Sequence, residues 1–317
     1  MLGRWNAAGL AVAIGLGALS LTSTPSAADQ IRLMTGPQGG SWYPLGGAIK
    51  NAVEGSMDTG VQVAPGGGIA NVKAVQSGKA EMGFANSVST VDAIKGKPPF
   101  DSPADNVCNI ATLYPQYFQV VVLGDAGLSS PADFKGNSLA AQKKGNTGEA
   151  ITEHMLKAYG LTYDDMSRVN YGSYTDSVNL MKDGNAQIFT LGTTVPAGAI
   201  MDLAAARDVT LVDIDDDGLK RMQEINPGYK RIMIPAGSYP GQDKDVATIG
   251  YFTHVVAQCS LPEDTVYNVL KAMVANVDDM AAIAKAMQNA SLEGMASDIG
   301  VPLHPGAIKF YKEQGVM

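Results

Sequence analysis

The stretch 33–86, LMTGPQGGSWYPLGGAIKNAVEGSMDTGVQVAPGGGIANVKAVQSGKAEMGFAN, recurs faintly and without a gap at 139–192, LAAQKKGNTGEAITEHMLKAYGLTYDDMSRVNYGSYTDSVNLMKDGNAQIFTLG. Leu33 aligns with Leu139, Gly39 with Gly145, Ala52 with Ala158, Asp58 with Asp164, Val63 with Val169, Gly66 with Gly172, Val72 with Val178, Gly78 with Gly184 and Ala80 with Ala186. These matches fall mostly on the glycines and small residues that separate strand, turn and helix. Each copy reads β-loop-α-β-α-β, which predicts an α/β chain of two similar lobes, each on a parallel sheet with ligands beyond the carboxyl ends of its strands. Two equivalent loops would then face each other across a cleft, a place to hold a ligand.

In the first copy Ile31–Thr35 reads as a strand and 44–54 as a helix burying Leu45, Ile49, Ala52 and Val53. Val61–Ala64 is the second strand, a short helix passes through Val72 and Val75, and Glu81–Ala85 is the third strand. The second copy follows suit, with strands at 139–142 and 186–190 and a helix at 149–159. Asn146 with Glu149, and Ser173 with Asp176, have the spacing of capping boxes at helix starts. Outside the repeats, Tyr117–Leu123 and Ala247–Ala257 are β-forming runs suited to carry the chain between lobes and back. The organisation expected is therefore lobe I from 29–117 plus 248–317 and lobe II from 118–247, with the helical segment Leu261–Met317 packed on lobe I.

Residues 1–28 have the form of a secretory signal: Arg4, an apolar stretch Ala7–Leu21, then the small run Ser26-Ala27-Ala28. The apolar stretch falls short of the roughly 20 residues of a membrane span. Net charge is −8, and loss of the leader, which carries one cation and no acid, makes the remainder more acidic. Such a chain is a poor partner for nucleic acid or an anionic membrane. Cys108 and Cys259 would fall nearly opposite each other if the two crossing strands are antiparallel neighbours. One disulfide and two small buried side chains both fit an exported protein.

Catalytic constellations are missing. His154, His254 and His304 have no metal-ligand spacing, no Gly-x-Ser-x-Gly elbow occurs, and neither glycine-rich loop continues into a phosphate-loop lysine or a dinucleotide fingerprint. Asp213, Asp215, Asp217, Gly218 and Glu224 match a calcium-loop pattern. The residues before them read as a strand, though, and Lys220 stands where an aliphatic residue belongs, so a solvated acidic turn is the better reading. Neither enzyme activity, cofactor nor metal is expected.

The loops at 36–43 and 143–148 carry the sharper signal, since each ends where a helix begins and its free N–H groups attract a carboxylate or phosphate. Glycines 39, 40, 145 and 148 allow close approach to the main chain. Ser41, Asn71, Asn86, Ser87, Asn146, Thr147 and Thr193 add neutral donors and acceptors, and Trp42 and Tyr43 add flat walls. The candidate ligand-binding set is Gly40, Ser41, Trp42, Tyr43, Asn71, Asn86, Ser87, Gly145, Asn146, Thr147, Gly148 and Thr193. No arginine falls on these loops, so an anion would be held by amides, hydroxyls and helix ends, with Lys143 and Lys144 nearby.

Four segments together resemble the TAXI proteins, the TRAP-associated extracytoplasmic solute receptors of tripartite ATP-independent periplasmic transporters. They are Gly39-Gly40-Ser41-Trp42-Tyr43-Pro44-Leu45-Gly46, Gly67-Gly68-Ile69-Ala70-Asn71-Val72, Leu113-Tyr114-Pro115 and Leu303-His304-Pro305-Gly306-Ala307-Ile308-Lys309-Phe310-Tyr311. The resemblance implies a type II periplasmic-binding-protein fold, two α/β lobes joined by hinge strands around a ligand cleft. It also implies delivery of a small organic acid or amino acid, in the glutamate, 2-oxoglutarate and dicarboxylate class, to a TRAP-type membrane permease. Where the family has Thr-Tyr-Tyr this chain has Ser41-Trp42-Tyr43, and the loop commonly Gly-Ser-Gly-Thr reads Gly145-Asn146-Thr147-Gly148. The expectation is a monomeric periplasmic receptor, the alternative being a ligand sensor that docks on a signalling receptor.

Overall fold

The structure, a computed structural model, describes residues 1–2, 30–36 and 41–317. The leader expected at 1–28 lies almost wholly outside the described residues, as does Gly40. In the first half β1 (Gln30–Met34), α1 (Trp42–Glu54), β2 (Gly60–Ala64), α2 (Gly68–Gln76), β3 (Met82–Asn86) and α3 (Ser87–Ile94) alternate. The chain crosses along β4 (Cys108–Leu123) into β5 (Ser138–Gln142), α4 (Thr147–Ala158), β6 (Arg168–Gly172), α5 (Tyr174–Lys182) and β7 (Ile188–Thr193). After α6 (Gly198–Ala204), β8 (Val209–Leu211), α7 (Asp216–Ile225) and β9 (Lys230–Ile234), it returns along β10 (Val246–Ala257). The helices α8 (Glu263–Ala275), α9 (Val277–Ile283), α10 (Leu292–Met295) and α11 (Pro305–Glu313) complete it.

All ten strands belong to one mixed sheet, ordered β2-β1-β3-β10-β4-β7-β5-β6, with β8 beside β4 and β9 beside β10. β1 is parallel to β2 and β3, and β5 is parallel to β6 and β7, so the repeat seen in the sequence is a repeat of parallel βαβ units. The two long strands make the bridge. Residues 250–257 of β10 pair antiparallel with 108–117 of β4, β4 then pairs with β7 from Tyr117 onward, and β10 pairs with β9 up to Gly250. Each half thus borrows one end of the same two strands.

Helical spacing decides what α1 buries: Leu45, Ile49, Ala52 and Val53 face inward. They join Leu33, Phe84 and Ile110 from the sheet and Val266, Leu270 and Met273 from α8 in one core, so the C-terminal helices pack on the first half. The second half has its own cores, one around Phe118, Leu139, Ile151 and Met155, another around Phe189, Ile200 and Leu203. Cys108 and Cys259 form a disulfide with Cα atoms 5.1 Å apart. Two irregularities in the β10–β4 pairing shift the register so that Cys108 faces Ala257, and Cys259 reaches it from just past the strand end.

Several local expectations change. β4 begins at Cys108 rather than near Tyr117, and α3 and α6 were not apparent in the sequence. The acidic segment at 213–224 holds backbone: Asp213 accepts from Ala247 N at 2.6 Å and Asp215 caps α7 through Gly218 N at 2.6 Å. Among the described residues no group of three or more His, Cys, Asp or Glu side chains is placed to hold a metal ion. None of the described helices is long and apolar enough to cross a membrane.

Candidate functional site

A cleft of about 280 Å³ opens between the halves, at the carboxyl ends of β2, β3, β5, β6 and β7. Parallel strands deliver the chain there into helix starts, and the N-cap residues of five helices line it: Ser41 of α1, Gly67 of α2, Asn86 of α3, Asn146 of α4 and Ser173 of α5. A Ser or Asn in this position ordinarily turns its side chain onto the helix's own N–H groups. Only Ser173 does so, in a closed capping box with Asp176. Ser41, Asn86 and Asn146 make no side-chain cap bond, and Gly67 has no side chain to offer. Four helix ends therefore present unmatched N–H groups and their partial positive charge to the cleft.

The capping box expected at Asn146 is not formed, and the reason is local. Glu149 accepts instead from the Tyr163 hydroxyl at 3.2 Å, which turns it away from the start of α4. Asn146 is left facing the first half, where a Cβ placed on Gly67 would meet its Oδ1 at 2.9 Å. Thr147 lies as close to Gly68: a Cβ there would stand 2.5 Å from Thr147 Oγ1 and 3.0 Å from Asn86 Nδ2. The halves meet at this line with room for backbone only.

Of the expected ligand residues, Ser41, Trp42, Asn86, Asn146, Thr147, Gly148 and Thr193 line the cleft. Tyr43, half-buried in the first turn of α1, does not. Asn71 is wholly buried beneath the wall, where its side chain accepts from Gly67 N at 3.0 Å and donates to Thr35 O and Phe84 O, both at 2.8 Å. It shapes the Gly66–Gly68 turn and has no free polar atom for a guest. Ser87 is likewise engaged, its hydroxyl accepting from Phe252 N of β10 at 3.0 Å. Gly145 sits in the exposed turn before α4 with φ of 86°, a left-handed conformation that suits glycine.

The sequence reading missed Gln116, Gln142, Tyr174, Thr175 and Tyr251, which also line the cleft. Tyr174 is held by Gln142 Nε2 at 3.1 Å and donates to Gly192 O at 2.8 Å. Burial pushes the Tyr174 and Tyr251 hydroxyls well above the ordinary phenol range, so both stay neutral. The signal available for Gln116 was weak, because the same crossing strand also carries Asn109, Thr112 and Gln119. Among the described residues the lining includes no Lys, Arg, Asp, Glu or His side chain. A second groove, between α1 and α9, gathers residues of the first half alone.

Behind the cleft the halves touch again. Asn226 Nδ2 donates to Val88 O at 3.0 Å and to Asp92 Oδ2 at 2.7 Å, and Lys97 Nζ donates to Ile225 O at 2.8 Å. Burial pushes the Asp92 carboxyl up to about 6, opposed by the Asn226 hydrogen bond and by Lys97 and Lys95. The histidines are structural: His154 contacts the Tyr229 hydroxyl at 2.7 Å, His254 lies between Thr90 and Asn109, and His304 caps α11. Burial drives His154 down to about 4 and His254 down to about 3, so neither carries charge at neutral pH.

Two halves with a shared pair of crossing strands and a cleft at the strand ends define the fold of periplasmic binding proteins. The chain is similar to PhnD1 from Prochlorococcus marinus (MIT 9301) in complex with methylphosphonate, at 12% identity over 92% of this chain and 100% of that one, TM-score 0.56. It is similar also to XAC2383 from Xanthomonas citri bound to chloride, at 12% identity over 91% and 97%, TM-score 0.52. An ancestral arginine-binding protein bound to arginine matches at 14% identity over 82% and 97%, TM-score 0.51. Over residues 33–315 the chain belongs to the NMT1-like family.

Proposed function

We propose that this protein is an exported receptor that captures a small carboxylate-bearing solute in the periplasm and hands it to a TRAP-type membrane permease. In this reading lobe I is 29–117 with 248–317, lobe II is 118–247, and the lobes close by bending where β4 and β10 cross. The fold's relatives hold solutes as different as methylphosphonate and arginine, so the ligand is read here from the cleft itself. One observation carries the proposal: helix starts from both halves converge on one cavity, four of them without side-chain caps and with no cationic side chain among the described lining. Such an array holds one anionic group by main-chain N–H donors and helix dipoles, with both halves gripping the same guest. In this reading a bound solute leaves unchanged.

The test is a thermal-shift screen of organic acids and amino acids on protein freed of bound solute by unfolding and refolding. A true solute at about 100 times its dissociation constant adds about 2.7 kcal/mol of stability. A refolded protein that no organic anion stabilises would refute the reading.

A further inference from the structure

Among the buried side-chain polar atoms of the described residues that have no hydrogen-bond partner, two belong to residues that line the cleft, Asn86 Oδ1 and Gln116 Oε1, and Tyr114 lies on the strand beside them. The sheet puts them together. Asn86 of β3 lies opposite Thr253 of β10, Thr253 lies opposite Tyr114 of β4, and Gln116 follows two residues along on the same face. Gln116 uses its Nε2 on Thr253 Oγ1 at 2.7 Å, which leaves its oxygen over. Asn86 and Gln116 both line the cleft and are 7% and 6% exposed. Buried acceptors without partners are unfavourable, and a guest bringing a hydrogen-bond donor relieves them.

The charges narrow the guest further. An ammonium would be buried without a carboxylate, and a second carboxylate would have to share the helix starts that hold the first, since the described lining supplies no charged side chain. We propose that Asn86 and Gln116 form a donor-reading subsite, and that the solute is a small monoanion carrying a neutral donor, a hydroxyl or an amide N–H, and not a dicarboxylate. This rests on the receptor reading above and specifies the guest of that same cleft. The helix starts take the anionic end, and Asn86 and Gln116 read the donor.

Calorimetric titration of the full mature chain with matched series tests it: propionate, lactate and malonate, then butyrate, 2-hydroxybutyrate and succinate, then valerate, 2-hydroxyvalerate and glutarate, with succinamate for the amide. The donor-bearing monoanion of at least one series should bind about tenfold or more tighter than its plain alkanoate and its dicarboxylate. In Gln116→Leu or Asn86→Ala that preference should shrink to about threefold or less, while plain alkanoate binding stays within about threefold. The wild-type comparison decides even if both variants fold poorly. A dicarboxylate that matches or beats the donor-bearing acid, or a preference unchanged in both folded variants, overturns the subsite and leaves the receptor reading standing. If no organic anion binds to the folded chain, both fall.

Discussion

Asn71 and Asn146 are the same side chain put to opposite uses. Asn71 satisfies three backbone groups in the interior, and removing it leaves those groups buried and unpaired. Asn71→Ala should therefore destabilise the solute-free protein by about 2–4 kcal/mol, read as a fall in denaturation midpoint. Asn146→Ala, which removes no cap bond, should leave that midpoint within about 0.5 kcal/mol and weaken solute binding instead. Equal loss of stability in the two variants would show that Asn146 is structural. Asp92 gives the pH counterpart. Its folded pKa lies above its unfolded one, so the folded state is favoured while the carboxyl is protonated and that advantage is lost as pH rises from about 4 through about 6. Asp92→Asn should thus stabilise the protein by about 1–2 kcal/mol at pH 8 and change little at pH 4, in paired melts at the two pH values.

At the scale of elements, two identical-looking signatures part company. Ser173 and Asp176 close their box, and Ser173→Ala should cost about 0.5–2 kcal/mol in thermal unfolding. Asn146 and Glu149 do not close theirs because Tyr163, distant in sequence from neither but on another turn of the chain, claims the glutamate. Spacing along a chain shows what a cap needs, and only packing shows whether a competitor takes it. The same limit explains the other differences. The repeat was legible because its glycines mark turns that every βαβ unit must make. α3, SVSTVDAI, was not, because its β-branched and hydroxyl side chains have weak helical preference and tertiary packing overrides it. The strand's early start at Cys108 passes through Pro115, which sits where β4 has β10 on one side and β7 has not yet joined, so no ladder donor is missed there. Within the site, the helix-start residues could be read from the sequence, whereas Gln116 and Tyr251 reach the cleft only because the crossing strands run beneath it.

For the whole molecule, the contact line between Gly67–Gly68 and Asn146–Thr147 sets how far the halves can approach. Gly68→Ala places a methyl group against Thr147 Oγ1 and Asn86 Nδ2 and should hold the cleft ajar. Solute affinity should fall about tenfold or more. Small-angle scattering should show the variant failing to contract with a solute that contracts the parent. The disulfide acts elsewhere. It joins the start of β4 to the chain just past β10, both in the first half, across 151 residues of sequence. Reduction should lower stability by up to about 5 kcal/mol and leave solute affinity unchanged.

The open helix ends have one more effect. Each carries roughly half an elementary charge of the same sign, so under the receptor reading proposed above an anionic guest would be the counter-ion shared by both sides. In that reading the guest itself would tip the balance toward closure, and its removal would be enough to let the two sides part.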